Sequence, residues 1–326
     1  MDRPDTPILI LEAASRVTPD DLAVVPSDRD LVACDFYVEG IEAQGEEVVG
    51  GYRLGRILNV DHHAPAPRMW RQVSSTNLAL ELIEAGADAI AKDAVVVVNH
   101  VDCDSVLSSG ILAGRLDPDP RFGKAAIAAD HTGEENLIAD LLQGIDAEIT
   151  KSRNGDTRRT LGDYAYSIQN LKSLLAAGDS RLDHMAREAL EARLRKRGKA
   201  EALVSRGAFH EAGALRFAVV DEPIEGELFY RLLPDAAVIM LANRLSGDSS
   251  RWQVKLRLGQ AAPPGFALSD LGIEEFDPSY GGRWNAGSNR RLDPATRLRG
   301  TALDPEEYAA RLVERLERRL TNAPRT

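Results

Sequence analysis

Arg56-Ile57-Leu58-Asn59-Val60-Asp61-His62-His63 is a short apolar run that breaks into three metal-competent side chains. A β-branched run that stops at carboxylate and imidazole groups is how an α/β protein presents ligands at the carboxyl edge of its sheet. The stretch predicts a strand through Val60 with a site at its tip. A third histidine, His100, stands in Asn99-His100-Val101-Asp102-Cys103-Asp104, and a fourth, His131, follows Asp130. Four of the six histidines therefore sit in ligand-like settings, which directs the rest of the reading toward a metal site.

Towards the N-terminus, residues 7–11 (PILIL) and Asp30-Leu31-Val32-Ala33-Cys34-Asp35 read as two more strands, the second ending in an acid. Residues 15–26 read as loop and helix, and residues 40–55 as a polar connection rich in Gly and Glu. Towards the C-terminus, Ser74-Ser75-Thr76-Asn77 precedes Leu78, Leu80, Leu82 and Ile83, the pattern of a capped amphipathic helix. Ala94-Val95-Val96-Val97-Val98 is the clearest strand, suited to the centre of a parallel sheet. It leads to His100, and Ser105 opens a helix through Ser108, Ser109, Ile111 and Leu112. Lys124-Ala125-Ala126-Ile127-Ala128-Ala129 reads as a further strand, ending at Asp130 before Thr132-Gly133. Four strands then each deliver acid or imidazole groups, and in a parallel sheet those ends share one edge. Asp35, His62, His100, Asp102, Asp104 and Asp130 are expected to converge there.

From about residue 140 to 207 the pattern is helical, with helices over residues 161–175 and 183–199. The cluster Arg193-Leu194-Arg195-Lys196-Arg197 reads as a solvated helix face. A second α/β pattern follows: strands at residues 214–220 and 236–241, a half-exposed strand at Trp252-Gln253-Val254-Lys255-Leu256-Arg257, and a C-terminal helix over residues 304–320 opened by Asp304-Pro305. Between them lies Tyr280-Gly281-Gly282-Arg283-Trp284-Asn285-Ala286-Gly287-Ser288-Asn289-Arg290-Arg291. Its glycines permit close backbone approach to an anion, and its guanidinium groups can clamp one. The expected fold class is α/β: a parallel-sheet metal-binding domain (1–140), a helical bridge (141–207) and a smaller α/β substrate-binding domain (208–326).

A chain of 326 residues is long enough for two cores, and 44% hydrophobic with 28% charged residues is an ordinary soluble composition. The formal charge of −11 argues against duplex nucleic acid as a partner but leaves room for a local basic patch that holds a small phosphate. Cys34 and Cys103 follow no paired-Cys pattern and read as packed thiols in a reducing compartment. No apolar stretch approaches the roughly 20 residues of a membrane span, so a cytoplasmic protein is expected.

His-x-Asp-x-Asp at a strand end, joined by His62, Asp35 and Asp130, makes a carboxylate-rich N/O donor set. Such a set suits Mn²⁺ or another octahedral divalent ion, Mg²⁺ or Co²⁺, better than a closed tetrahedral zinc site. Six groups exceed what one ion needs, so a pair of ions bridged by a carboxylate is the economical reading. Paired ions activate a water and clamp a phosphoryl oxygen during in-line displacement, which implies a phosphoester or phosphoanhydride substrate. Taken alone, Asp35 reads as a turn or cap residue, Cys103 as a packed thiol, His131 as a supporting group, and His184 and His210 as structural or exposed. The fourfold recurrence of strand followed by acid favours the site.

These residues resemble the DHH phosphoesterase superfamily, which includes RecJ-like exonucleases, oligoribonucleases, cyclic-dinucleotide phosphodiesterases and family II inorganic pyrophosphatases. Asp61-His62-His63 is similar to the namesake triplet, and Ser74-Ser75-Thr76 to the stretch that follows it. His100-Val101-Asp102-Cys103-Asp104 resembles the first family motif, Asp35 the lone aspartate of the second, and Asp130-His131-Thr132-Gly133 the Asp-x-Thr-Gly of the fourth. The order is permuted, because in the family the His-x-Asp-x-Asp motif comes first. The glycine loop resembles that of the associated DHHA1 domain, with Arg283 and Trp284 where a histidine is usual.

The resemblance implies metal ligation by Asp35, His62, His100, Asp102, Asp104 and Asp130, with Asp35 a bridge between two Mn²⁺ ions. It implies a phosphoryl or leaving-group contact for His63 and an orienting role for Asp61. For Arg257, Gly281, Gly282, Arg283, Trp284, Asn285, Gly287, Arg290 and Arg291 it implies contact with the non-reacting end of the substrate. The expected activity is hydrolysis of a small phosphorylated, nucleotide-like compound or short oligonucleotide between the domains, with a homodimer as a compatible assembly. The alternatives are a non-catalytic nucleotide-binding or regulatory protein of the same fold and an unrelated α/β protein in which the triplet is coincidental.

Overall fold

The apolar runs of the first half become strands, and their order in space differs from their order in sequence. In the computed structural model, which describes residues 6–11, 17–69, 71–86, 93–153, 159–177 and 180–322, the chain begins with β1 (Ile8–Ile10) and β2 (Leu31–Cys34). A short helix, α1 (Ile41–Gln44), then leads to β3 (Glu46–Val48), β4 (Gly51–Leu54) and β5 (Ile57–Val60). After α2 (Ser75–Ala85), β6 (Val95–Val98) completes a six-stranded sheet of order β1-β6-β2-β5-β4-β3. The pairs β1/β6, β6/β2 and β2/β5 are parallel. Strand β2 thus runs between β6 and β5, with Cys34 level with Val60 and Ala33 level with Val97, and the loops carrying Asp35, Asp61 and His100 leave the same edge.

Two expectations need correction. Residues 40–55 are not a plain connection: β3 and β4 form a hairpin that extends the sheet antiparallel from β5. Gly50 makes its turn at φ 76°, where a Cβ is disfavoured. Residues 124–129 are not a strand. They belong to α4 (Pro120–Ile127), which follows α3 (Cys103–Leu112) and runs on into a π-helical turn, Ala128–Thr132. Alanine is the strongest helix former, and Asp119-Pro120 supplies both an N-cap, accepting from Arg121 N at 2.8 Å, and a proline at the first helical position. Of the expected loop and helix at 15–26, a 3-10 turn covers Asp20–Val24, and residues 15 and 16 lie outside the described residues.

Helices α5 (Leu137–Ser152), α6 (Leu161–Ala177) and α7 (Ser180–Ser205) follow. The chain divides into two compact units, Met1–Arg193 and Leu194–Thr326, so the segment expected as a bridge is shared between them. Ile145, Ile149, Tyr164, Leu171 and Leu182 pack into the core of the first unit because their helices cover its sheet-and-helix layer with apolar faces. Ala200 packs in a core of the second unit.

The second unit has its own six-stranded sheet, built from β7 (His210–Ala212), β8 (Leu215–Val219), β9 (Val238–Leu245), β10 (Asp248–Leu258), β11 (Gly281–Arg283) and β12 (Ala286–Ser288). Its order is β11-β12-β10-β9-β8-β7, and only β8/β9 is parallel. The C-terminal helix α8 (Pro305–Asn322) packs Tyr308, Leu312 and Leu316 into a core with Leu215, Val254 and Leu256. Among the described residues, no helix is long and apolar enough to cross a membrane.

Candidate metal centre

Asp35 follows β2 directly and stands at φ 60°, the left-handed region that aspartate tolerates better than most non-glycine residues. The buried Asn59 on β5 holds this turn. Its amide donates to the carbonyls of Ala33 at 3.1 Å and Phe36 at 2.9 Å, and its oxygen accepts from Val38 N at 3.0 Å. Three bonds thus span the residue on either side of the bend, and a polar side chain in a buried strand has its partners.

His62 and His63 leave β5 in different directions, their rings edge to face at 4.2 Å. Nδ1 of His62 is 2.6 Å from the Val73 carbonyl, which can only accept, so Nδ1 carries a proton and the ring presents Nε2 to the acids. Around Nε2 lie Asp130 Oδ2 at 3.5 Å, Asp104 Oδ2 at 3.7 Å and Asp35 Oδ1 at 3.9 Å. His100 is set in the same way: Asn99 Oδ1 lies 2.6 Å from its Nδ1, while Nε2 lies 3.1 Å from Asp35 Oδ2 and 3.2 Å from Asp102 Oδ2. Asp61 is buried and grips His63 twice, its Oδ1 2.6 Å from Nδ1 and its Oδ2 accepting from His63 N at 2.9 Å.

Two helices, α3 and α4, bring the remaining acids. Asp102 caps α3, accepting from Ser105 N at 3.0 Å, and Asp104 lies in the first turn of that helix. Asp130 arrives on the π turn that extends α4, and such turns are frequent at functional sites. Gly123 on α4 has no side chain to clash with Asn77 of α2, whose amide nitrogen a Cβ there would meet at 2.4 Å. Ligand atoms fall into three groups, each within 4.8 Å: Asp35, His100 and Asp102; His62, Asp104 and Asp130; and Asp35, His62 and His63. The structure therefore brings together all eight residues singled out in this half of the sequence.

This donor set fits a divalent ion. Asp35 and Asp104 are fully buried, and among the described residues neither pairs with a lysine or arginine. Buried carboxylates without a cation are costly. Burial, reinforced by the charges of Asp35 and Asp130, pushes the Asp104 carboxyl well above the usual range. Burial works against a charged His100, yet Asp102 and Asp35 outweigh it and hold its pKa well above the ordinary value. Distances of 3.5–3.9 Å around His62 Nε2 are too long for hydrogen bonds but suit donors that share an ion, since two donors each about 2.1 Å from a metal lie no more than about 4.2 Å apart. Oxygen and imidazole donors are the ligands of Mn²⁺ and Mg²⁺.

Sequence reasoning assigned no role to Asn59, Asn99 or the Val73 carbonyl. The signal for Asn59 was a single amide in an otherwise apolar run. His131 is buried, its Nε2 3.1 Å from the same Val73 carbonyl and its ring 5.4 Å from that of His62. Cys34 donates to Ser108 Oγ at 3.1 Å, and burial raises the pKa of both Cys34 and Cys103.

The expected substrate residues all lie in the second unit. Arg257, opposite Ala286 in the ladder, is buried and pairs with Glu227 at 3.5 Å. Gly281, Gly282 and Gly287 lie in the β11/β12 hairpin, in which Arg283 pairs with Ala286 and Trp284 and Asn285 make the turn. Close approach is made there by the protein itself: a Cβ would meet the Arg291 guanidinium at Gly281, the Ala286 carbonyl at Gly282 and the Tyr280 hydroxyl at Gly287. Trp284 packs partly against the second-unit core, and Arg290 is exposed. Of the histidines set aside, His184 is exposed beside Glu188 at 3.6 Å and His210 stacks on Phe217.

No protein-family model and no curated protein sequence matches the chain. Among solved structures it is similar to the pGpG-specific phosphodiesterase PggH from Vibrio cholerae (TM-score 0.43, 11% identity, 70% of this chain and 81% of that one). It is also similar to RecJ from Thermus thermophilus, solved in complex with Mn²⁺ (TM-score 0.42, 14% identity, 96% of this chain). The chain spans 45% of that RecJ chain, and neither likeness assigns a role to any residue here.

Proposed function

We propose that the protein is a divalent-metal-dependent phosphohydrolase that cleaves a phosphoester or phosphoanhydride in a small nucleotide-like compound or short oligonucleotide. The observation that carries this reading is the placement of Asp35 between two ligand trios, one oxygen toward His62 and the other toward His100. His100, Asp102 and Asp35 would hold one ion, and His62, Asp104, Asp130 and Asp35 a second. A bound pair supplies an activated water and charge neutralisation for the phosphoryl oxygens. Mn²⁺ is the ion of choice for these donors, with Mg²⁺ or Co²⁺ as substitutes.

The chain's own residues supply the rest. Asp61 fixes the Nδ1 proton of His63 and stabilises the imidazolium, which leaves Nε2 to hold or deliver a proton at the leaving oxygen. His63 is about one-third exposed, which leaves it open to a substrate. The first unit carries the chemistry. Hydrolysis of bis-p-nitrophenyl phosphate, pyrophosphate, a linear dinucleotide and a cyclic dinucleotide, with and without Mn²⁺, tests this reading. Metal-dependent turnover that Asp102→Ala abolishes supports it, and absence of turnover on the whole panel with Mn²⁺ bound moves weight to a binding role.

A further inference from the structure

The first turn of α2 opens onto the acid cluster. Thr76 gives Asp104 Oδ1 two hydrogen bonds, one from its backbone N–H at 2.8 Å and one from its hydroxyl at 2.6 Å. Ser75 N donates to Asp104 Oδ2 at 2.8 Å, and Ser75 Oγ donates to Asp35 Oδ1 at 2.8 Å. Both side chains are fully buried. The N–H groups of a first helical turn have no acceptor within their own helix, and the helix dipole favours an anion beside them.

The helix itself does not need these hydroxyls. Ser74 already caps α2 through a reciprocal box with Asn77, accepting from Asn77 N at 3.2 Å and receiving the Asn77 side chain at its own N–H. A serine or threonine inside a helix ordinarily turns its hydroxyl to solvent or to a carbonyl one turn back. Ser75 and Thr76 instead aim theirs at carboxylates carried by two other segments, the bend after β2 and the first turn of α3.

A carboxylate offers about four lone-pair sites, two on each oxygen. Thr76 uses both on Asp104 Oδ1, and Ser75 N uses one on Oδ2. What remains is one site on Oδ2, the oxygen that faces His62 Nε2 at 3.7 Å. On Asp35, Ser75 uses one site of Oδ1 and leaves Oδ2 to face His100 at 3.1 Å.

We infer that Ser75 and Thr76 are positioning residues of the metal centre: Thr76 restricts Asp104 to ligation through Oδ2 alone, and Ser75 sets the Asp35 carboxylate across the two trios. This inference rests on the metal-centre reading above. Loss of the Thr76 hydroxyl weakens the ion held by His62, Asp104 and Asp130 and spares the one at His100 and Asp102. Loss of the Ser75 hydroxyl acts through Asp35 and weakens both.

The test is calorimetric titration of the metal-free full chain with MnCl₂, alongside thermal melts in EDTA. Wild type is expected to take up two ions. In Thr76→Val one of the two affinities falls about 10- to 100-fold, the size of effect seen when support around a metal ligand is removed. Thr76→Ser restores it, and Ser75→Ala weakens both affinities. Unchanged Mn²⁺ affinities in Thr76→Val and Ser75→Ala, with wild type binding two ions, overturn the inference and leave the metal centre standing. A wild type that binds no Mn²⁺ overturns the metal centre itself, and the inference with it. Should Thr76→Val not fold, Ser75→Ala decides: weakening at both ions supports the inference, and wild-type affinities overturn it.

Discussion

Asp35 Oδ2 lies 3.1 Å from Nε2 of His100, and the other oxygen of the same carboxylate turns toward His62. One buried side chain therefore joins two groups of ligands that sequence separates by more than a strand and a helix. Neutralising it without changing its shape is the sharpest perturbation of the centre. Asp35→Asn is expected to weaken binding of both Mn²⁺ ions by at least about 100-fold, more than loss of a supporting residue. Titration calorimetry checks this, and loss of a single ion would show that Asp35 serves one trio only.

Asp61 touches His63 and lies outside the metal trios. Asp61→Asn keeps the shape but loses the charge that holds His63 Nδ1–H and supports the imidazolium. It is expected to lower kcat about 100-fold, the order contributed by a well-placed acid or base, with Mn²⁺ binding unchanged. Steady-state kinetics together with metal titration read the two effects separately. Equal losses in both would make Asp61 a determinant of metal binding instead.

Asn59 holds the left-handed turn at Asp35 through three bonds. Asn59→Ala leaves the Ala33 and Phe36 carbonyls and the Val38 N–H without that partner in a buried place. The cost is expected to be about 3 kcal/mol in denaturant unfolding, accompanied by weaker Mn²⁺ uptake because Asp35 loses its support. Wild-type stability in this variant would contradict the role given to the amide.

The raised Asp104 carboxyl carries a definite sign. A group whose folded pKa lies above its unfolded value stabilises the fold fully below the unfolded pKa, and that contribution is lost as pH rises through the folded value. Burial, then the Asp35 and Asp130 charges, place Asp104 in this class, and a divalent ion offsets the same repulsion once the carboxyl ionises. The rise in Tm on adding Mn²⁺, measured against EDTA, is therefore expected to grow as pH rises above the ordinary carboxylate range. A rise that is flat or shrinks with pH contradicts this account of Asp104.

Much of this site was legible because strand tips announce themselves. Leu31 to Cys34, Ile57 to Val60 and Val95 to Val98 are apolar runs that stop at chemistry, and the parallel pairing of β6, β2 and β5 sets their ends side by side. Asp130 joins the cluster by a route other than the one expected. Its alanine-rich approach has the composition of a buried strand, but Asp119-Pro120 marks a helix start, and the acid reaches the cluster from a helix end. The hairpin at residues 46–54 was hidden by its short, charged strands. The roles of Asn59, Ser75 and Thr76 depend on which backbone groups lie opposite them in space, and no spacing rule encodes that. In the second unit, the glycines that suggested an anion cradle are filled by Arg291, Tyr280 and the hairpin's own backbone. Composition could not distinguish a ligand from the protein's own side chains there.

The most direct test of the metal centre is a crystal structure of the full chain grown with Mn²⁺, with anomalous data collected at the manganese edge. The expected result is two anomalous peaks, one contacted by His100 and Asp102, the other by His62, Asp104 and Asp130, with Asp35 touching both. A map with full Mn²⁺ in the crystal but no peak at Asp35 would contradict the account.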